Sequence, residues 1–239
     1  MASATRRAEG RGRVAAGLLG LLEVPVPPHA ILASALGSYA GQVVAGLAGW
    51  PLWAKVTATL LPWVPLFGKG VAHTGRTSGW LAFFTVLVVT QTGHLLEHVA
   101  QMVQIHALHL AGKQARGVFG VFDIEWVHFV WNAWVLVAVV LLLRQLSGNR
   151  WLWLALVVAG WHMVEHTYIL SVYLSTGVPG TPGLLGAGGA IAGGGPLVRP
   201  DLHFLYNVVE TLPLVAGFVF EARRTLIPVT TPPGPAAPG

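Results

Sequence analysis

Four stretches of this chain, 79–105, 126–146, 151–175 and 203–222, are long and apolar enough to cross about 30 Å of hydrocarbon as helices. That feature decides the fold class. Charged residues are 10% of the 239, mean hydropathy is +0.65, and 54% of residues are hydrophobic. A soluble domain carries roughly 25% charge, so this chain cannot clothe a soluble surface. The apolar content equally excludes a disordered chain. The sequence predicts an all-α, polytopic transmembrane bundle whose principal partner is the lipid bilayer.

Two weaker apolar stretches, 30–49 and 51–67, flank Gly49-Trp50-Pro51. The second contains Lys55, Pro62 and Pro65, so it reads as a full crossing or as a re-entrant or interfacial hairpin. An even number of spans puts ten Lys and Arg residues inside, against three or four outside. A five-span arrangement gives no asymmetry. About six spans are therefore expected, in a bacterial plasma membrane, with both termini cytoplasmic. The arginine-rich, alanine- and glycine-rich composition fits a GC-rich bacterial genome. The net charge of +5 thus reports topology rather than nucleic-acid binding.

The expected organisation is an arginine-bearing N-terminal arm (1–28), a membrane hairpin (29–68), a four-helix core (79–222) and a proline-rich tail (223–239) expected to be disordered. The core divides into 79–146 and 151–222. Within the second part, the glycine-rich segment 175–200 reads as a slack outer connection.

Polar residues inside the spans carry the functional signal. Ionisable groups cost about 2.5–3.5 kcal/mol each on insertion into a bilayer, so a patterned set needs a reason. His94, Glu97, His98 and Gln101 fall at i, i+3, i+4 and i+7, one helical face. His162, Glu165 and His166 repeat the spacing. H-x-x-E-H is followed each time by H-F-[VL]-[WY]-N, giving His128 with Asn132 and His203 with Asn207. Glu210 lies one further turn along from Asn207. This reads as a tandem repeat of helical hairpins with equal orientation, related by an axis along the membrane normal. Counting from the inner helix ends puts all four sets at overlapping heights in the outer half of the bilayer.

Such a layer suits metal ligation. The candidate ligands are His94, Glu97, His98, His128, His162, Glu165, His166 and His203, with Gln101, Asn132, Asn207 and Glu210 behind them. Imidazole and carboxylate together accommodate Fe, Mn, Zn or Cu, and Glu97 and Glu165 are placed to bridge two ions. With no cysteine, thiolate zinc sites and iron–sulfur clusters are excluded. The pattern fits a dinuclear centre, and oxidation of a lipid-soluble substrate is the economical enzymatic role. Three other roles use the same layer: b-type haem ligation by His98 with His166 or His128 with His203, an ion, proton or metal transport path, and structural stitching of four helices. Haem suits less well, because Glu97 and Glu165 would stand unpaired beside it. Walker loops, G-x-S-x-G and dinucleotide fingerprints are absent. His106 and His109 are expected at the solvated outer edge, His29 and His73 at the surface, and Trp131 and Tyr206 as walls of the site.

Overall fold

The computed structural model describes residues 27–226 other than 77, 112–113 and 121–122, with no side-chain description for 52, 53, 73, 74 and 226. The expected arm before residue 27 and the tail beyond 226 lie outside the described residues. The regular elements among the described residues are all helices, with one isolated bridge between Gly189 and Gly193.

Helix α1, Pro28–Leu47, starts with Pro28 in its first turn, where a missing N–H breaks no helical bond. It ends before Gly49, whose φ is +63°, and Pro51 opens α2, Leu52–Leu60. A 3-10 turn at Leu61–Trp63, containing Pro62, links α2 to α3, Val64–Gly75. The stretch expected at 51–67 is thus broken at its prolines into pieces too short to span. In lipid, apolar side chains gain nothing from leaving water, so helices associate through close packing and hydrogen bonds. Here Ser34 donates to the Pro62 carbonyl and Ser38 to the Thr59 carbonyl, each at 2.7 Å. A Cβ at Gly41 would lie 2.6 Å from the Ala58 carbonyl oxygen, so only glycine permits this approach.

The core comprises α4 (Gly79–Met102), α5 (Glu125–Gln145), α6 (Arg150–Thr176) and α7 (Arg199–Leu226). Ser78 caps α4 by accepting from Leu81 N–H, and Asn149 caps α6 by accepting from Trp151 N–H. The last turn of α4 continues as a π-turn, Val103–Ala107. Gly177, at φ +70°, ends α6 in the left-handed conformation that glycine adopts without steric penalty. The most extensive packing is α5 on α6 and α4 on α7, followed by α6 on α7.

Four described helices are long and apolar enough to cross a membrane: 28–47, 79–107, 125–145 and 199–225. This supports a membrane protein, with a different set from the strong spans expected. Helix α6 is long enough, but His162, Glu165, His166 and three tryptophans lower its hydropathy. The weak stretch at the start of the chain qualifies instead.

Polar and apolar residues separate along the bundle. Phe84, Leu87, Val139, Leu142, Leu152, Leu214 and their neighbours pack together in the half nearer Arg144 and Trp151. The histidines occupy the other half. The 175–200 segment is not slack, contrary to its composition. Ala187 N–H donates to the Leu197 carbonyl, Ile191 to Leu184 and Gly195 to Leu185, at 2.7, 3.0 and 2.7 Å. The glycines here supply compact turns rather than freedom.

Candidate metal centre

Helical spacing delivers the histidines in pairs. His94 and His98, one turn apart on α4, bring their Nε2 atoms to 3.2 Å. His162 and His166 on α6 do the same, also at 3.2 Å. His128 on α5 and His203 on α7 close the layer. The ring centroids of His203 and His98 are 4.5 Å apart, those of His203 and His166 are 4.9 Å apart, and His128 stacks parallel to His166 at 5.7 Å. Two groups result whose donor atoms lie within 4.8 Å of one another. One is His94, His98, His128 and His203; the other is His162, His166 and His203. All six histidines of the repeated motif are therefore gathered, and His203 belongs to both groups.

The outer nitrogens fix which way the rings work. Nδ1 of His98 lies 3.2 Å from Gln101 Oε1, that of His128 3.0 Å from the Ile124 carbonyl, and that of His162 2.8 Å from Glu210 Oε2. Each partner is an acceptor, so each Nδ1 carries the proton and each Nε2 keeps its lone pair. Metal-binding histidines are held in this way. Gln101 is itself fixed, donating to the Ala115 carbonyl at 3.0 Å. His162 and Glu210 are both fully buried. The 3.2 Å spacing of paired Nε2 atoms also matches a coordination edge, since metal–nitrogen bonds of about 2.0–2.1 Å set tetrahedral neighbours about 3.3 Å apart.

The carboxylates of H-x-x-E-H stand elsewhere. Glu97 Oε1 accepts from Phe119 N–H at 2.6 Å, and Glu165 Oε1 accepts from Leu184 N–H at 2.9 Å. Neither belongs to a histidine group. Each holds the loop that follows its own helix. A Cβ added at Gly117 or Gly183 would lie 2.3 or 2.0 Å from the respective Oε1, and both glycines have positive φ, +76° and +82°. These loops read G-V-F-G (117–120) and G-L-L-G (183–186), a second recurrence in the sequence.

Asn132 and Asn207 do not touch the rings. Each donates to the carbonyl of the histidine four residues earlier, at 2.9 and 3.0 Å. Asn207 Oδ1 also accepts from Gln91, which accepts in turn from Trp131 Nε1–H at 2.9 Å. Trp131 stacks on His94 with centroids 4.9 Å apart, and Tyr206 lies 5.3 Å from His162, so both wall the site.

Three features were missed from sequence. Gln91 joins α4 to α5 and α7. Arg199 forks onto Glu125, tying the start of α7 to that of α5, while Gly180 N–H donates to the same carboxylate. His106 meets Asp201 at 2.7 Å at the exposed edge. His29 is exposed, as expected. In the segment entering α5, burial holds the Asp123 carboxyl above its ordinary range, against the pull of Arg116 at 3.9 Å.

No protein-family model, curated protein sequence or solved structure matches this chain.

Proposed function

We propose that the chain is an integral membrane metalloprotein with an all-imidazole, dinuclear centre in the outer half of the bilayer. One observation carries this reading: three Nδ1 atoms are tied to acceptors, so their Nε2 lone pairs are left for the buried histidine groups. Lone pairs brought together in a low-dielectric layer repel one another unless a cation lies between them. His203 is the natural link between two ions. Its Nδ1 lies 3.3 Å from His162 Nε2, while its own Nε2 is buried without a protein partner. Its counterpart His128 has an Nδ1 committed to Ile124.

A nitrogen-only donor set favours copper or zinc over manganese. Glu97 and Glu165 anchor loops in this reading rather than bridging ions. The two motif copies form halves related by an axis along the membrane normal, and six crossings, with α2, the 3-10 turn and α3 making the second crossing together because none of them spans alone, leave both termini on the cytoplasmic side. Oxidation of a lipid-soluble substrate, coupled to an external electron acceptor, is the activity a copper-loaded centre would serve; the histidines would hold the metal, which would supply the redox chemistry, whereas zinc would supply none.

Metal analysis of protein purified without chelator tests the proposal. The expected result is about two equivalents of transition metal, lost in His98→Ala and His166→Ala proteins that remain folded. If these substitutions change only thermal stability, the histidines are structural and the proposal fails. A Soret band in the purified protein would replace it with haem ligation.

A further inference from the structure

The second histidine group has three imidazoles where the first has four. We infer that this group keeps an open coordination position, which takes a water molecule held beside Glu165. The inference rests on the metal reading above and goes beyond it by naming an exogenous ligand and its place.

Glu165 is only 3% exposed. One oxygen is used by Leu184 N–H, but Oε2 is buried with no partner. An orphaned carboxylate oxygen away from water is costly unless something donates to it. Glu165 lines a cleft with His203, Tyr206, Ile169, Leu202 and Pro182, with Arg199 at its edge. Arg199 is already committed to Glu125. The free space is that of about one water molecule. A donor of that size, standing between Glu165 Oε2 and the histidine group, satisfies the oxygen and completes four-coordination. Three protein ligands with a fourth position for water is the pattern of reactive zinc sites, whereas four protein ligands mark closed ones.

The other half of the bundle shows why the cleft arises here. The position of Ile169 is taken in α4 by Gln101, whose side chain turns to His98. The position of Tyr206 is taken in α5 by Trp131, which lies flat on His94. Tyr206 instead directs its hydroxyl outward, where it accepts from Trp161 Nε1–H at 3.1 Å. The second group thus has a shorter apolar side chain in place of Gln101, and a tilted, smaller ring in place of the stacked Trp131.

Cobalt(II) is the probe, with fluoride, an anion of about water's size, as the competing ligand. The full chain in detergent is loaded with cobalt and titrated with fluoride while its visible absorption is followed. Fluoride is expected to displace the water, change the spectrum and saturate at about one per protein. Leu202→Phe, which fills the cleft without removing a ligand, should abolish the fluoride response while retaining cobalt. Glu165→Gln keeps an acceptor for Leu184 N–H and puts an amide donor in place of the charged oxygen, so fluoride should bind roughly tenfold more tightly. An unresponsive wild-type spectrum overturns the inference, as do variants that bind fluoride like the wild type. Failure of cobalt to bind at all overturns the metal reading together with it.

Discussion

The α4/α5 pair and the α6/α7 pair carry the same motif but surround it differently. In the first, His98 leans on Gln101 and His94 lies under Trp131, so the rings are enclosed by neutral neighbours. In the second, Glu210 pins His162, Ile169 replaces the glutamine, and Tyr206 lies tilted against His162 with its hydroxyl outward. A carboxylate behind an imidazole raises its basicity, while a neutral amide only orients it. The repeat therefore backs one histidine group with neutral neighbours and the other with a carboxylate. Recurrence fixes where ligands are, and departures from it fix what each side can do.

The largest break in this comparison comes from His203, shared by both groups. His203→Ala should remove most bound metal from both halves, whereas His128→Ala should leave about one equivalent, as read by metal analysis. If the two variants lose metal equally, His203 is not special. Next comes Glu210→Gln, which should weaken metal binding about 10–100-fold in the second half alone, measured by competition with a chelator of known affinity. Gln101→Leu, its counterpart in the first half, should cost less than Glu210→Gln in the same assay.

The loops test the comparison through stability. Gly117→Ala and Gly183→Ala each force a Cβ into an anchoring carboxylate at positive φ, costing about 1–3 kcal/mol on unfolding in detergent. The two effects should be alike, because both glutamates do the same work. The smallest effect belongs outside the core. Ser38→Ala removes one hydrogen bond between α1 and α2, costing about 1 kcal/mol with metal content unchanged.

What was legible in the sequence followed from periodicity. A histidine pair at i, i+4 on a helix must share a face, so the gathering of His94 with His98 and of His162 with His166 was forced once the helices were inferred. Gln101 and Glu210 followed from the same helical spacing. The loop contacts of the glutamates were not legible, because spacing locates a side chain on a helix but does not say which of its neighbours it meets. The donors to Glu97 and Glu165 are backbone amides of glycine-rich loops, whose turns obey no period. The paired G-V-F-G and G-L-L-G segments, each following its H-x-x-E-H, were the available signal. The Arg199–Glu125 fork joins residues far apart in the chain, and only the packed bundle shows it. Apolar runs located the helices, yet hydropathy ranked them poorly. The repeated histidines and glutamate of α6 are what depress its apolarity.

X-ray absorption at the metal edge of the loaded, full-length protein tests the central claim most directly. A centre whose protein ligands are all imidazoles predicts a nitrogen shell at about 2.0–2.1 Å, with imidazole scattering that is unchanged in Glu97→Gln and Glu165→Gln proteins. A carboxylate oxygen shell that disappears in either variant would contradict it, returning the glutamates to the metals and the loops to some other anchor.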